Sequence, residues 1–210
     1  MCQNLLMYVP PAFRREVDDA WDFVSRAGAG VIVVATATGM RSVFAPVLVD
    51  SSTSTLRGHV ARGNEWWRLA SDGDEVLASF TAADSYVSPG MYRSKPENPA
   101  LAPTWNYVTA EVRGTVRILD DVVACEEIVR ALTHRFEQSR EEPWHVDDAP
   151  RDYLDRLLRG IVGFEIAVTS ITGAAKLSQN KSEDDRWGIA EHLANGTRRE
   201  RDVSEWMGRE

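Results

Sequence analysis

One histidine in the chain stands in a setting that suits cofactor chemistry. His59 lies in the run Gly-His-Val-Ala-Arg-Gly-Asn, residues 58–64, on a predicted strand that leads into a predicted helix. The other histidines, His134, His145 and His192, are typical surface or packing residues, and the four are not spaced as a zinc set of three or four ligands. A lone strand histidine is either a satisfied core residue or a single imidazole ligand to a metallocofactor. Haem is the cofactor whose iron one protein imidazole can hold.

The residues that follow this histidine could meet an anionic or a flat group. Arg62 and Asn64 flank Gly63 just before the predicted helix 65–70, where free backbone N–H groups suit a phosphate or a carboxylate. The motif is too short to be specific by itself. Trp67 could stack on a flat ring, although an aromatic residue here is also typical of packing.

A long segment without helical or strand periodicity, residues 84–107, is the second candidate wall of a site. It holds four prolines and four aromatic residues, and loops of this length in a compact domain are usually functional or disordered. The aromatic content favours an ordered loop, because disordered segments are poor in aromatics. The alternative is a surface connection whose aromatics cover an edge of the core. Side chains on this segment that could bind or react are Ser88, Tyr92, Lys95, Thr104, Trp105 and Asn106.

Lys95 is the cation of that segment, between Ser94 and Pro96. It could pair with an anionic group, or act as a base if burial lowers its pKa. It could equally be a solvated lysine. Ser88 has no neighbouring His and Asp pattern, so the sequence does not indicate a nucleophilic triad.

The elements that must position these residues are short strands with helices around them. Apolar residues at three- and four-residue steps predict helices over 13–25, 122–136, 151–159 and 183–193. Alternating and β-branched runs predict strands over 31–37, 42–49, 55–61, 75–81, 107–119 and 161–171. Short strands joined by turns favour an α+β fold, a mostly antiparallel sheet closed into a barrel with flanking helices. A Gly-x-Gly-x-x-Gly turn is missing from the sequence, which argues against a Rossmann dinucleotide site.

Composition limits the class of protein and its compartment. The 210 residues carry a formal net charge of −8, which argues against general affinity for nucleic acid. Two cysteines, Cys2 and Cys125, form no disulfide framework, and no apolar run approaches a membrane span. We expect a cytoplasmic protein that does not enter a membrane. Its domain is expected over residues 1–194, followed by a charged, loose tail over 195–210.

Several motifs, taken in order, resemble the PaiB-like family, often called FMN-binding negative transcriptional regulators. They are MYVPPAFR, GHVARGN, SYVSPGMYRSKPE followed by PTWNY, PWHVDDAP, IVGFEI and KLSQN, and together they span roughly residues 7–193. The resemblance implies a split β-barrel of the flavin-reductase and pyridoxamine-oxidase type. It also implies a homodimer with cofactor sites at the interface between the copies.

One branch that resembles this family binds haem b and consists of the piperazate synthases. The family usually carries His-Pro after the first helix and His-Leu-Pro on the second strand, whereas this chain has residues 25–30 (SRAGAG) and 43–46 (VFAP) there. His59 then remains as the imidazole inside a shared motif, which indicates an axial haem ligand.

The haem hypothesis implies an enzyme that forms an N–N bond, cyclising N5-hydroxy-L-ornithine to L-piperazate. Lys95 is the first candidate for the base, with Tyr92 and Ser88 beside it. The cofactor contacts implied are His59, Arg62, Asn64, Trp67, Trp105 and Asn106.

Two other classes stay open. An FMN-binding oxidoreductase would use Arg62, Lys95 and Ser88 for the flavin phosphate. A dimeric transcriptional regulator is the third, although the acidic charge and the lack of a recognisable helix-turn-helix count against it.

Overall fold

The fold is described by a computed structural model over residues 7–209. Cys2 and Glu210 lie outside these described residues. Seven strands form one sheet: β1 (Arg14–Arg15), β2 (Ala29–Thr36), β3 (Gly39–Asp50), β4 (Thr55–Ala61), β5 (Glu75–Val87), β6 (Thr104–Leu119) and β7 (Ile161–Lys176). Their order is β1-β7-β4-β3-β2-β5-β6, and β6 also pairs with β7. The registers of β1–β7, β2–β3, β2–β5, β3–β4 and β4–β7 are all antiparallel. The predicted antiparallel sheet is confirmed.

Within residues 7–209, six α-helices accompany the sheet: α1 (Val17–Ala27), α2 (Glu65–Leu69), α3 (Val122–Glu137), α4 (Arg151–Leu158), α5 (Glu183–Ala194) and α6 (Arg198–Met207). Several begin at a side-chain cap, as the sequence suggests. Asp121 accepts from the backbone of Ala124 at the start of α3, and Ser182 does the same for Asp185 at the start of α5.

By their internal contacts, the residues form two compact units. Unit 1 contains residues 7–27, 80–111 and 172–209, and unit 2 contains residues 28–79 and 112–171. The expectation of one domain over residues 1–194 stays a prediction.

Unit 2 is built around the tight approach of β4 to its neighbours. A Cβ on Gly58 would lie 2.5 Å from the carbonyl oxygen of Pro46 and 2.6 Å from the ring of Phe164. Phe164 in turn packs edge-on against the buried Trp66 of α2, with 5.4 Å between ring centroids. Glycine at position 58 is therefore required by backbone approach, as its place in a strand suggests.

Unit 1 corrects the predicted loop. β5 continues to Val87 and β6 begins at Thr104, so the segment without regular structure is shorter than 84–107. Ala83, Ser85 and Val87 alternate as buried positions of the strand. Ala83 is small and Ser85 is polar, and Tyr86 on the opposite face is aromatic. The sequence therefore shows no clear alternation of apolar and polar residues here.

Unit 1 also corrects the predicted tail. Residues 198–207 form α6, which opens with a reciprocal capping box between Thr197 and Glu200. Val203 and Met207 are buried, and Trp206 packs edge-on against Phe23 of α1. Interleaved charges conceal this helix, because only one narrow face of it is apolar.

Candidate functional site

His59 lies on the face of β4 that α3 covers. Its cross-strand partner is Gly163, and directly opposed residues of an antiparallel pair project to the same side of the sheet. A Cβ on Gly163 would lie 3.1 Å from Ile128 of α3 and 3.2 Å from Leu119. The imidazole is half-buried, and burial alone lowers its pKa below the ordinary value. It is therefore neutral at pH 7, which is the form that binds metals.

The structure gives Arg62 a structural role in unit 2. Its Nε donates to the carbonyl of Arg159 at 2.9 Å, and its Nη2 donates to the carbonyl of Ile161 at 3.0 Å and to the Asp120 carboxylate. That carboxylate raises the pKa of Arg62, and the pKa of Asp120 is correspondingly lowered. With two guanidinium nitrogens committed, a cofactor contact by Arg62 stays a prediction.

We expect the replacement of Arg62 by methionine to destabilise the fold. The variant loses a charge-assisted pair and leaves two carbonyls without their donor, so we expect the unfolding free energy to fall. Urea unfolding measures it. Arg68→Met is the matched control, because the guanidinium of Arg68 only lies over the ring of Trp67. Equal losses in both variants would contradict the structural role of Arg62.

Asn64 and Trp67 also serve the local fold of unit 2. The Asn64 side chain caps α2 by accepting from the Trp66 backbone at 2.8 Å. The Trp67 indole donates to the carbonyl of Arg62 at 2.9 Å, and the guanidinium groups of Arg62 and Arg68 each lie 5.6 Å from its ring centroid. The structure thus brings these predicted residues together next to β4, and their contact with a cofactor stays a prediction.

In unit 1, the predicted loop residues Ser88 and Lys95 lie near one another. Ser88 caps a single 3-10 turn, Pro89–Met91, by accepting from the Gly90 backbone at 3.2 Å. Lys95 is exposed, and its Nζ lies 3.9 Å from where a Cβ on Gly90 would be. The roles of Lys95 as the base and of Ser88 beside it stay predictions.

Trp105 and Asn106 point to opposite sides of β6. The Trp105 indole donates to the Asp84 carboxylate at 2.8 Å and lies under the guanidinium of Arg199. Asn106 is fully buried and exchanges hydrogen bonds with the Ser178 hydroxyl. Trp105 can therefore reach a ligand at the surface, whereas Asn106 is enclosed, and its contact with a cofactor stays a prediction.

A cationic cluster in unit 1 was missed from the sequence. Lys176, the last residue of β7, donates to the Thr104 hydroxyl. The Nζ of Lys181 lies 5.3 Å from the ring centroid of Tyr92. We call Lys176 and Lys181 the lysine pair. Both are half-buried.

The Tyr92 hydroxyl is buried, and within residues 7–209 it has no hydrogen-bond partner. Tyr92 as a whole is 2% exposed. A buried donor without a partner is costly in a folded protein and is a recurrent sign of a missing ligand or water. Tyr92 is thus the one predicted catalytic residue that the structure places in an unsatisfied, enclosed position.

Electrostatics identify the kind of group that the cluster suits. Burial, and after it the charge of Lys181, lowers the pKa of Lys176. Burial, together with the charge of Asp185, raises the pKa of Tyr92, which keeps its hydroxyl a donor. The Asp185 carboxylate is held by the backbone N–H and the hydroxyl of Ser94, each at 2.9 Å, and its pKa is lowered. Two cations and a free hydroxyl donor suit a phosphate or carboxylate ligand.

A sequence signal for this cluster does exist. The run KLSQNK places two lysines five positions apart, with one apolar and three polar residues between them. What the sequence does not show is that β6 brings Thr104 to the first lysine and that the loop brings Tyr92 to the second.

A cavity of about 680 Å³ also lies in unit 1, between α5 and the end of α6. Its lining residues are Arg93, Glu183, Arg186, Trp187, Ala190, Glu191, Ala194, Ser204, Met207 and Gly208. Arg93 bridges to Asp184 and Glu191, so the charges of its rim are mixed. The site residues predicted from the sequence are not among those that line this cavity.

Comparison with known proteins establishes the family. The family described as "Putative FMN-binding domain" matches residues 7–170. The Bacillus subtilis protein named "Protease synthase and sporulation protein PAI 2" is 31% identical over 192 residues, covering 90% of each chain. An uncharacterized protein of Emericella nidulans is 32% identical over 179 residues, 72% of this chain and 71% of that protein. The chain belongs to the FMN-binding domain family, which confirms the PaiB-like resemblance.

Solved structures confirm the split-barrel fold. The FAD and heme binding protein from Mycobacterium smegmatis superposes with a TM-score of 0.57 at 17% identity, over 87% of this chain and 79% of that one. The flavocytochrome Anf3 from Azotobacter vinelandii gives 0.57 at 7% identity, over 87% and 78%. At these identities the likeness concerns the fold. None of the helices within residues 7–209 is both long and apolar enough to cross a membrane.

Proposed function

We propose that the protein is an FMN-binding oxidoreductase whose lysine pair holds the flavin phosphate. The observation that carries this proposal is the buried, unpartnered hydroxyl of Tyr92, whose ring centroid lies 5.3 Å from the Lys181 ammonium, with Lys176 at the other end of the same turn. A phosphate dianion offers acceptors to all three donors and relieves the repulsion between the lysines. Membership of the FMN-binding domain family supports the same ligand.

The chain's own part in this function is to bind and orient. Lys176, already in contact with the Thr104 hydroxyl, would supply one donor to the phosphate, and Lys181 the second. Tyr92 would fix the orientation of the phosphate from an enclosed position. Bound flavin would supply hydride or electron transfer.

The direct test is the spectrum and affinity of the purified protein. We expect a yellow protein, or a colourless one that binds added FMN and then oxidises a nicotinamide cofactor. Riboflavin, which lacks the phosphate, should bind much more weakly. A protein that binds neither flavin, or that binds both equally, contradicts the proposal.

A second candidate is the haem-dependent piperazate synthase, favoured by the state of His59. Its imidazole is neutral through burial, and within residues 7–209 it makes no hydrogen bond. This donor fits a haem iron, which would supply Lewis-acid chemistry. In the reaction, the N–N bond forms, the N–O bond breaks and water leaves. This candidate ranks second because α3 packs against the face on which His59 lies.

The haem candidate makes a sharp prediction for His59. If haem binds, His59→Ala should abolish its Soret absorption, because the single protein ligand to the iron is removed. His134→Ala, on the α3 helix, is the matched control and should leave the spectrum unchanged. Titration of both variants with hemin decides it, and an unchanged Soret band in His59→Ala rules this candidate out.

We also propose that the protein is a homodimer, with the cofactor site completed by the second copy. In unit 2, Val31 and Phe44 are direct cross-strand partners and are 44% and 71% exposed. Met40, 77% exposed, lies on the same hairpin. A second copy of the chain could bury this apolar surface.

Sedimentation equilibrium tests the dimer. We expect Phe44→Asp to shift the mass from two copies to one, because a buried carboxylate would lie in the contact. Val123→Asp, at a 65% exposed position of α3, is the control and should stay dimeric. A wild-type monomer at micromolar concentration contradicts the proposal.

A further inference from the structure

The turn that carries the lysine pair is held in an unusual backbone conformation. Ser178 has φ +60°, a left-handed conformation that non-glycine residues rarely adopt. Such strain persists only where the surroundings fix it, and it concentrates at functional positions. Here the strained residue lies between the two lysines.

Buried hydrogen bonds fix that conformation. Asn106 Nδ2 donates to the Ser178 hydroxyl at 3.0 Å, and the hydroxyl donates back to Asn106 Oδ1 at 3.1 Å. Asn106 is 0% and Ser178 2% exposed. Asn106 also lies 3.8 Å from the sulfur of Met207 in α6. The pair is thus locked in the interior of unit 1.

Strand geometry links the pair to the lysines. Thr104 and Asn106 are two positions apart on β6, so they lie on one face of it. The Thr104 hydroxyl accepts a hydrogen bond from Lys176, and Asn106 donates one to the Ser178 hydroxyl. Two residues of β6 therefore hold the turn at two positions. The Lys181 backbone then donates to the carbonyl of Ser178 at 2.9 Å. Each lysine is therefore placed relative to the Asn106–Ser178 pair.

We propose that Asn106 and Ser178 are positioning residues that set the separation of the Lys176 and Lys181 ammonium groups for a phosphate-bearing ligand. The distance between the two ammonium groups is set in the free protein. That this distance serves FMN binding rests on the proposed function. Neither residue touches the ligand. Their effect is transmitted through the backbone of the turn.

The test uses three variants of the full chain. Ser178→Gly removes the hydroxyl but accepts φ +60° without strain, so it should fold. Asn106→Ala removes the other partner. Thr109→Val is the matched control, because the Thr109 hydroxyl also makes a hydrogen bond from β6 in unit 1, to the carbonyl of Phe80 at 2.7 Å, away from the turn.

Two measurements separate positioning from a purely structural role. The pKa of Lys176, followed by side-chain NMR in the free protein, should rise towards the ordinary lysine value in Ser178→Gly and Asn106→Ala, because a released turn exposes Lys176 and lets Lys181 move away. The Kd for FMN should rise about tenfold, the loss of one charge-assisted hydrogen bond, while the Kd for riboflavin stays unchanged. Thr109→Val should change neither.

The outcomes distinguish this inference from the proposed function. If Lys176 titrates in both variants as it does in the wild type, the positioning role is wrong, whether or not FMN binds. If the pKa of Lys176 rises but the wild type binds no FMN, the positioning role holds and the proposed function fails. Equal losses of FMN and riboflavin affinity would indicate general unfolding and overturn the inference.

Discussion

Replacement of both lysines of the pair by methionine should weaken FMN binding by at least about 100-fold. Each lysine contributes a charge-assisted hydrogen bond to the phosphate, worth about 1.5–3 kcal/mol, and two such bonds correspond to roughly 10²-fold or more in Kd. Methionine keeps most of the length and apolar volume of lysine, so the turn should remain folded. Riboflavin binding should change little. Fluorescence titration with both flavins measures the difference.

The matched control for this double variant is Lys95→Met. Lys95 lies on the exposed loop of unit 1, and we expect its replacement to change the Kd for FMN by about twofold or less, as for an exposed charge. Affinity in the wild type should also fall at alkaline pH. Because burial lowers the pKa of Lys176, its ammonium loses the proton at a lower pH than an ordinary lysine does. If Lys95→Met loses as much FMN affinity as the double variant, the phosphate binds at the loop and the assignment to the lysine pair is wrong.

The second large effect concerns stability and falls on Gly114 of β6. A Cβ at this position would meet the carbonyl oxygen of Ala167 on β7, with the Ala167 carbonyl carbon at 2.9 Å and the Ile166 methyl at 3.0 Å. Because the obstacle is backbone, it cannot rotate away as a side chain would. We expect Gly114→Ala to lower the unfolding free energy by about 3 kcal/mol.

Gly63→Ala is the control for Gly114→Ala. A Cβ on Gly63 has no neighbour within 4 Å among the described residues, so the change should stay within about 0.5 kcal/mol. Urea unfolding of both variants gives the comparison. If the two variants have the same midpoint, β6 and β7 can separate in unit 2 without loss, and the tight approach is not a constraint.

Much of the fold follows from sequence patterns that are local. β4 is predicted over 55–61 and found there, and α3 differs from its prediction by one residue at its end. Both have a clear period with turn or capping residues beside them. α6 is the exception, because its apolar residues Val203, Trp206 and Met207 stand in a run of charges. The capping box and this spacing are local signals of a helix, whereas the burial of Val203 and Met207 depends on partners distant in sequence.

The candidate site was predictable in part. Tyr92 follows from the composition of the loop, and His59 from its motif. Arg62 looks like a ligand cation in the sequence, yet its partners lie at positions 120, 159 and 161, and only the folded chain shows them. Lys176 and Lys181 are recognised as neighbours of one site only in the folded chain, where Thr104 of β6 contacts the first and the ring of Tyr92 lies near the second. Residue type in the sequence thus shows which side chains carry a charge. Whether a charged side chain is free to bind a ligand depends on its tertiary contacts.

The two-residue strand β1 bears on how the protein behaves at high concentration. In the strand order, β6 and β7 pair with one another, so β1 is the strand that ends the described sheet. It pairs only at Arg14 and Arg15, opposite Ala174 and Gly173. A long, uncharged end strand would offer open hydrogen-bonding groups to other molecules and promote aggregation, whereas a two-residue strand offers few. The shortness of β1 is therefore expected to limit pairing of this edge with a second molecule when the protein is concentrated.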